Sequence, residues 1–182
     1  MKNIIYTLLL GVCIFSCSEG DIITTEFSFD KDSLDLCEAT TDNFIYFKIN
    51  NSEREGVSFN FTSTTFTENT EDSLSITLNG TNRFIIRKFN TQIDRDYYCG
   101  LLPPSDVQVI DEFIGASGTA GIKSEITDQT EVIDNDTITV TQNTYQTTIT
   151  FTNLKLNGNE ESFVYENLVL EGNRVINDTI VK

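Results

Sequence analysis

Apolar and polar side chains alternate with a period of two along most of this chain, and that alternation restricts its fold more tightly than any other feature. In Phe44-Ile45-Tyr46-Phe47-Lys48-Ile49 and in Tyr145-Gln146-Thr147-Thr148-Ile149-Thr150-Phe151, β-branched and aromatic residues are interleaved with Thr, Gln and Lys. Successive side chains of an extended strand point to opposite faces, and β-branched and aromatic residues suit a pleated, half-buried surface, so the pattern predicts strands. They are expected over residues 23–29, 44–49, 57–62, 74–78 and 84–89, then over 119–127, 131–141, 145–156, 162–170 and 175–181. Phe44, Tyr46 and Lys48 share one face of their strand and Ile45, Phe47 and Ile49 the other, which predicts one mixed and one strongly apolar face. Asn79-Gly80 and Asn157-Gly158 tolerate the positive φ angles of tight turns and are expected to close hairpins.

One segment departs from the alternation. Pro103-Pro104-Ser105 stops extension, Ser105 and Gln108 have capping-box spacing, and Val107, Ile110 and Ile114 fall on one helical face. A short helix over residues 106–115 is therefore expected, with its apolar face plugging one end of the fold. The architecture these elements predict is all-β: an antiparallel β-sandwich of about nine or ten strands with one short helix. A lipocalin-like β-barrel enclosing a small apolar ligand is the alternative.

The N-terminus carries an address. Lys2 precedes an apolar run over residues 4–15, too short to span a bilayer as a helix, and the run ends in Ile14-Phe15-Ser16-Cys17. This arrangement resembles the signal peptide and lipobox of bacterial lipoproteins, with Phe15 bulkier than that family usually places there; Cys13, preceded by Val12, is the rival cysteine. The resemblance implies that residues 1–16 are removed, that Cys17 becomes the acylated first residue, and that the protein is lipid-anchored at the outer membrane or cell surface. Residues 17–22 then form a short lipidated tether and 23–182 a single β-rich domain.

Cleavage takes away Lys2 and no acid, leaving 11 basic against 28 acidic side chains, a formal charge of −17. A nucleic-acid partner needs a basic footprint, which is absent, and anionic lipid would be repelled. The membrane is thus a partner only through the lipid on Cys17. In the oxidising compartment that the resemblance implies, Cys37 and Cys99 remain as two thiols and are expected to pair as a disulfide.

Catalytic chemistry finds little support. The chain has no His, which removes the Ser-His-Asp triad, the His base and the His-ligated metal. Gly115-Ala116-Ser117-Gly118 lacks the lysine of a phosphate loop. Asp30, Asp32 and Asp35 crowd one loop, but Leu34 takes the next ligand step and no glycine permits the tight turn of a Ca²⁺ loop. No metal and no cofactor are expected, and the protein is not expected to be an enzyme.

Two weaker signals concern partners. Tyr97 and Tyr98, beside Cys99, are candidate contacts for a sugar or a protein. Asp32-Ser33-Leu34, Asp72-Ser73-Leu74, Asp136-Thr137-Ile138 and Asp178-Thr179-Ile180 repeat one tripeptide, of which composition alone would supply roughly one copy. It resembles the O-glycosylation acceptor of exported Bacteroidota proteins, which would make Ser33, Ser73, Thr137 and Thr179 acceptors. The same tripeptide is also ordinary strand-start chemistry. Function is accordingly expected to be that of a non-enzymatic binding or structural module with a protein or glycan partner, a lipocalin-like carrier being the alternative.

Overall fold

The computed structural model describes residues 29, 33–40, 42–67, 73–134, 138–159 and 161–181. Residues 1–16, Cys17, the tether and the expected strand 23–29, apart from Phe29, lie outside the described residues. The elements run β1 (Asp35–Thr40), β2 (Asn43–Asn50), β3 (Glu55–Thr62), β4 (Leu74–Thr77), β5 (Arg83–Phe89), a single helical turn α1 (Asp96–Cys99), β6 (Val109–Asp134), β7 (Ile138–Asn157) and β8 (Ser162–Val181). Every pairing is antiparallel. The eight strands form one sheet, ordered β1-β2-β3-β5-β6-β7-β8 with β4 alongside β6, and it curls into a half-barrel. The all-β antiparallel class and the presence of one short helix agree with the sequence.

The curl exists because large rings fill its concave side. Phe44 and Tyr46 of β2, Phe59 and Phe61 of β3, Phe84 of β5 and Phe151 of β7 all belong to one buried cluster. Phe59 and Phe151 sit on strands with two others between them in the sheet, yet their ring centroids are 5.1 Å apart, edge to face, and Phe84 meets Phe151 at 4.5 Å. Each such ring contributes roughly 2–3 kcal/mol through its removal from water, and a flat sheet would not bring them together. The face of β2 expected to be mixed is the concave one. Lys48 lies there, buried, and its Nζ donates to the Phe29 carbonyl at 2.9 Å, which satisfies part of its hydrogen-bonding demand inside the fold.

Bulges let the long strands bend. Along one edge of β6, β5 pairs with residues 109–114 and β4 with residues 119–122, both running in the same direction. Asn79-Gly80 therefore does not close a hairpin, as expected, but loops out between two collinear strands. Asn79 Oδ1 accepts the amides of Thr81 and Asn82 at 2.7 and 2.8 Å, so the turn chemistry is real while the partner lies elsewhere. Between the two pairings β6 shifts register twice, around Ser117. Gly118 has φ +133°, and a Cβ there would lie 3.1 Å from Thr152 O and from Leu154 Cα. Across from it Asn153 takes φ 52°, so both strands are deformed at one level, the usual means of tightening a sheet's bend. Asn157-Gly158 does close its hairpin, with Asn157 paired to Ser162 and Gly158 N donating to Glu161 O at 2.8 Å.

The expected helix over 106–115 is strand from Val109 onward, a correction with a clear cause. β5 offers a backbone edge, and the chain zips onto it: Asn90 N donates to Gln108 O at 3.0 Å, Gln108 N to Asn90 Oδ1 at 2.8 Å, and Arg87 pairs with Glu112 at 2.6 Å. That ladder outweighs a three-residue apolar stripe, and Ile110 is left 58% exposed. Residues 131–141 are likewise not one strand. β6 ends at Asp134 and β7 begins at Ile138, and these two residues pair with each other antiparallel, so the stretch is divided between two strands. At the other margin Leu34 packs onto Gly172 of β8, so closely that any Cβ there would overlap it. Phe29 and Leu34, both ahead of β1, thus join the core on the concave side.

Candidate functional site

The convex side of β1 and β2 is covered by the 90–108 connection, which is where the sequence singled out residues. Asp94 starts its helical turn: Asp94 Oδ1 accepts Asp96 N at 3.0 Å, Cys99 N donates to Arg95 O at 3.0 Å, and Gly100 N donates to Asp96 O at 2.8 Å. One turn is too short to be stable alone, so tertiary contacts must hold it. Cys99 is bonded to Cys37 of β1, with Cα atoms 5.5 Å apart. Arg95 donates to Leu36 O at 3.0 Å and lies 3.6 Å from Asp35.

Tyr97 and Tyr98 both serve this packing. Tyr97 meets Phe89 edge to face at 4.8 Å and its hydroxyl accepts from Arg87 at 3.4 Å, while Tyr98 stacks on Phe47 at 4.8 Å. The strongly apolar face of β2, Phe47 and Ile49, is thereby covered. The Tyr98 hydroxyl is buried against Gly56 and has no hydrogen-bond partner among the described residues. Burial in this apolar setting pushes its pKa far above the ordinary phenol value.

Tyr97 also borders a shallow groove of about 340 Å³, with Asn51, Gln92, Asp94 and Asp106 along it beside the buried Ile93. Two of these polar groups are occupied in shaping it: Asn51 Oδ1 accepts Ile93 N at 3.1 Å, and Gln92 donates to Asn51 O at 3.4 Å. The carboxylates of Asp94 and Asp106 that remain suit a ligand rich in hydrogen-bond donors. The groove draws on two separate connections, the β2–β3 turn and the 90–108 stretch, so its polar members could not be picked from the sequence; the local signal available was Asp94, whose carboxylate accepts an amide two residues on.

The tripeptide hydroxyls are scattered. Ser33 is exposed just ahead of β1, with Leu34 turned inward, and Ser73 is exposed directly ahead of β4, with Leu74 partly buried. Ser73 also borders a shallow depression of about 430 Å³ on the outer side of β6 and β7, near the paired Lys123 and Glu125 and the hydroxyls of Thr148 and Thr150. Thr137 lies outside the described residues, as does the side chain of Thr179, whose backbone belongs to β8. Cys17 lies outside them too. Among the described residues no group of three or more His, Cys, Asp or Glu could hold a metal ion, and no helix is long and apolar enough to cross a membrane. No family model matches the chain, and neither the curated proteins nor the solved structures contain a match to it.

Proposed function

We propose that this chain is an exported lipoprotein, held at the outer membrane or cell surface by an acyl group on Cys17, that acts as a non-enzymatic binding or structural module. The observation that carries this reading is Ile14-Phe15-Ser16-Cys17 behind a short apolar run and Lys2. The charge of the remaining chain supports it, since a strongly acidic domain gains nothing from anionic lipid and needs a hydrophobic anchor. The partner is a protein or a glycan, met on the outside of the domain. Favouring an outer surface over a carrier's cavity is the packing of Phe59, Phe84 and Phe151, each fully buried, across the concave side. The groove beside Tyr97 is the candidate contact. Ser33 and Ser73, exposed at strand starts, are candidate glycan acceptors, with Thr137 and Thr179 the other two copies of the tripeptide.

The test is fractionation with mass spectrometry. Wild-type protein should sediment with membranes and yield an N-terminal peptide beginning at an acylated Cys17, and Cys17→Ala should leave a folded protein in the soluble fraction. A Cys17→Ala variant retained on membranes as fully as wild type would refute the anchor. Glycan would add mass beyond the acylated polypeptide, and a mass equal to the bare acylated chain removes that part of the reading.

A further inference from the structure

We infer that Leu101 and Leu102 form a second membrane contact, dipping into a bilayer of zwitterionic phospholipid and setting the orientation of the anchored domain. The inference rests on the acyl anchor at Cys17. Leu101 is 103% exposed and Leu102 83%, the two highest values among the exposed large hydrophobic residues described. A single exposed leucine is ordinary; two in succession, both projecting, are not.

The loop is also built to hold them out. Cys99, two residues before Leu101, is bonded to Cys37, and Gly100 N is tied to Asp96 O. Pro103 and Pro104 follow at once, fixing two φ angles, and Val107 N donates to Pro104 O at 3.2 Å. With both ends fixed the tip cannot fold back to bury its leucines, so their hydration cost persists until something apolar covers them.

The position of the anchor says what covers them. Phe29 is held by Lys48 near the end of β2, and Asp35 and Leu36 at the start of β1 are held by Arg95 of the same connection that carries the leucines. The chain therefore enters the domain at the leucine-bearing end. Cys17 lies 12 residues before Phe29, so the acyl group is held within about 40 Å of that end, the reach of the tether at full extension. Asp94, Asp96 and Asp106 flank the tip and would be repelled by anionic headgroups, which selects a zwitterionic surface.

The chain contains no Trp, so Leu102→Trp introduces the sole indole at a site with almost no packing to disturb. The acylated full-length mature protein is reconstituted into phosphatidylcholine vesicles with and without brominated acyl chains. The expected result is blue-shifted emission with at least twofold quenching by the brominated lipid, while Val175→Trp, at an exposed position far along β8, keeps a solvent-like spectrum. Leu101→Trp, read in the same way, guards against a local effect of the first substitution. Solvent-like, unquenched emission from both loop variants on vesicle-bound, acylated protein overturns the inference and leaves the anchor standing. A mass spectrum with no acyl group on Cys17 overturns the anchor and this inference together.

Discussion

Removing the Cys37–Cys99 bond tests how the connection carrying α1 is held. In Cys37→Ala/Cys99→Ala the native contacts around the bond persist: Tyr98 still stacks on Phe47, Tyr97 on Phe89, and Arg95 still donates to Leu36 O. The main change is in the unfolded chain, which loses a cross-link between residues 62 apart. On the chain-entropy account a loop of that size contributes about 4 kcal/mol at 25 °C. The Arg95–Asp35 pair, about half exposed, offsets little of this, since exposed pairs contribute roughly 0–1 kcal/mol. Urea unfolding of the oxidised wild type and the double variant should therefore give midpoints separated by the equivalent of about 4 kcal/mol, and thermal unfolding a drop of about 10 °C. Reduced wild type should fall beside the double variant, with a slightly steeper denaturant dependence in both because the uncrosslinked chain exposes more surface. A difference below about 1 kcal/mol, or a reduced wild type as stable as the oxidised one, would refute the reasoning.

Three further outcomes follow from the packing. Tyr98→Phe removes a buried hydroxyl that lacks a partner among the described residues, so it should be neutral or mildly stabilising in urea. Because burial raises the folded-state pKa of Tyr98, the unfolded chain releases that proton first; the stability it supports is complete below about pH 10 and declines above it, and Tyr98→Phe should flatten that decline in an alkaline series of denaturation curves. Gly172→Ala places a methyl group into Leu34 and should destabilise by about 1–3 kcal/mol, with faster hydrogen exchange at the start of β1; an unchanged midpoint would show that Leu34 does not seal the concave side. Phe151→Ala, which deletes the ring that Phe59 and Phe84 both touch, should cost about 3–5 kcal/mol by calorimetry or urea, and a cost under 1 kcal/mol would place the core elsewhere.

Several features of this protein are local properties and were legible in its residues. Alternation in 44–49, 57–62 and 84–89 marks β2, β3 and β5 closely, because a period of two is a property of each strand by itself. The pairing of Cys37 with Cys99 followed from a count of two thiols and a compartment, and the turn chemistry of Asn79 and Asn157 from backbone preferences. What a strand pairs with is not local. Asn79-Gly80 makes its turn whether the flanking strands meet each other or, as here, both lie along β6; residues 109–115 become strand because β5 presents an open edge; Lys48 is buried where the Phe29 carbonyl, 19 residues away, meets its ammonium. A four-residue helix has no period to read, and a groove assembled from Asn51, Gln92, Asp94, Tyr97 and Asp106 has no spacing to read. The alternation made the chain a sheet, and the tertiary structure chose which edges met, since edge pairing and ring packing are decided only when distant segments compete for the same partners.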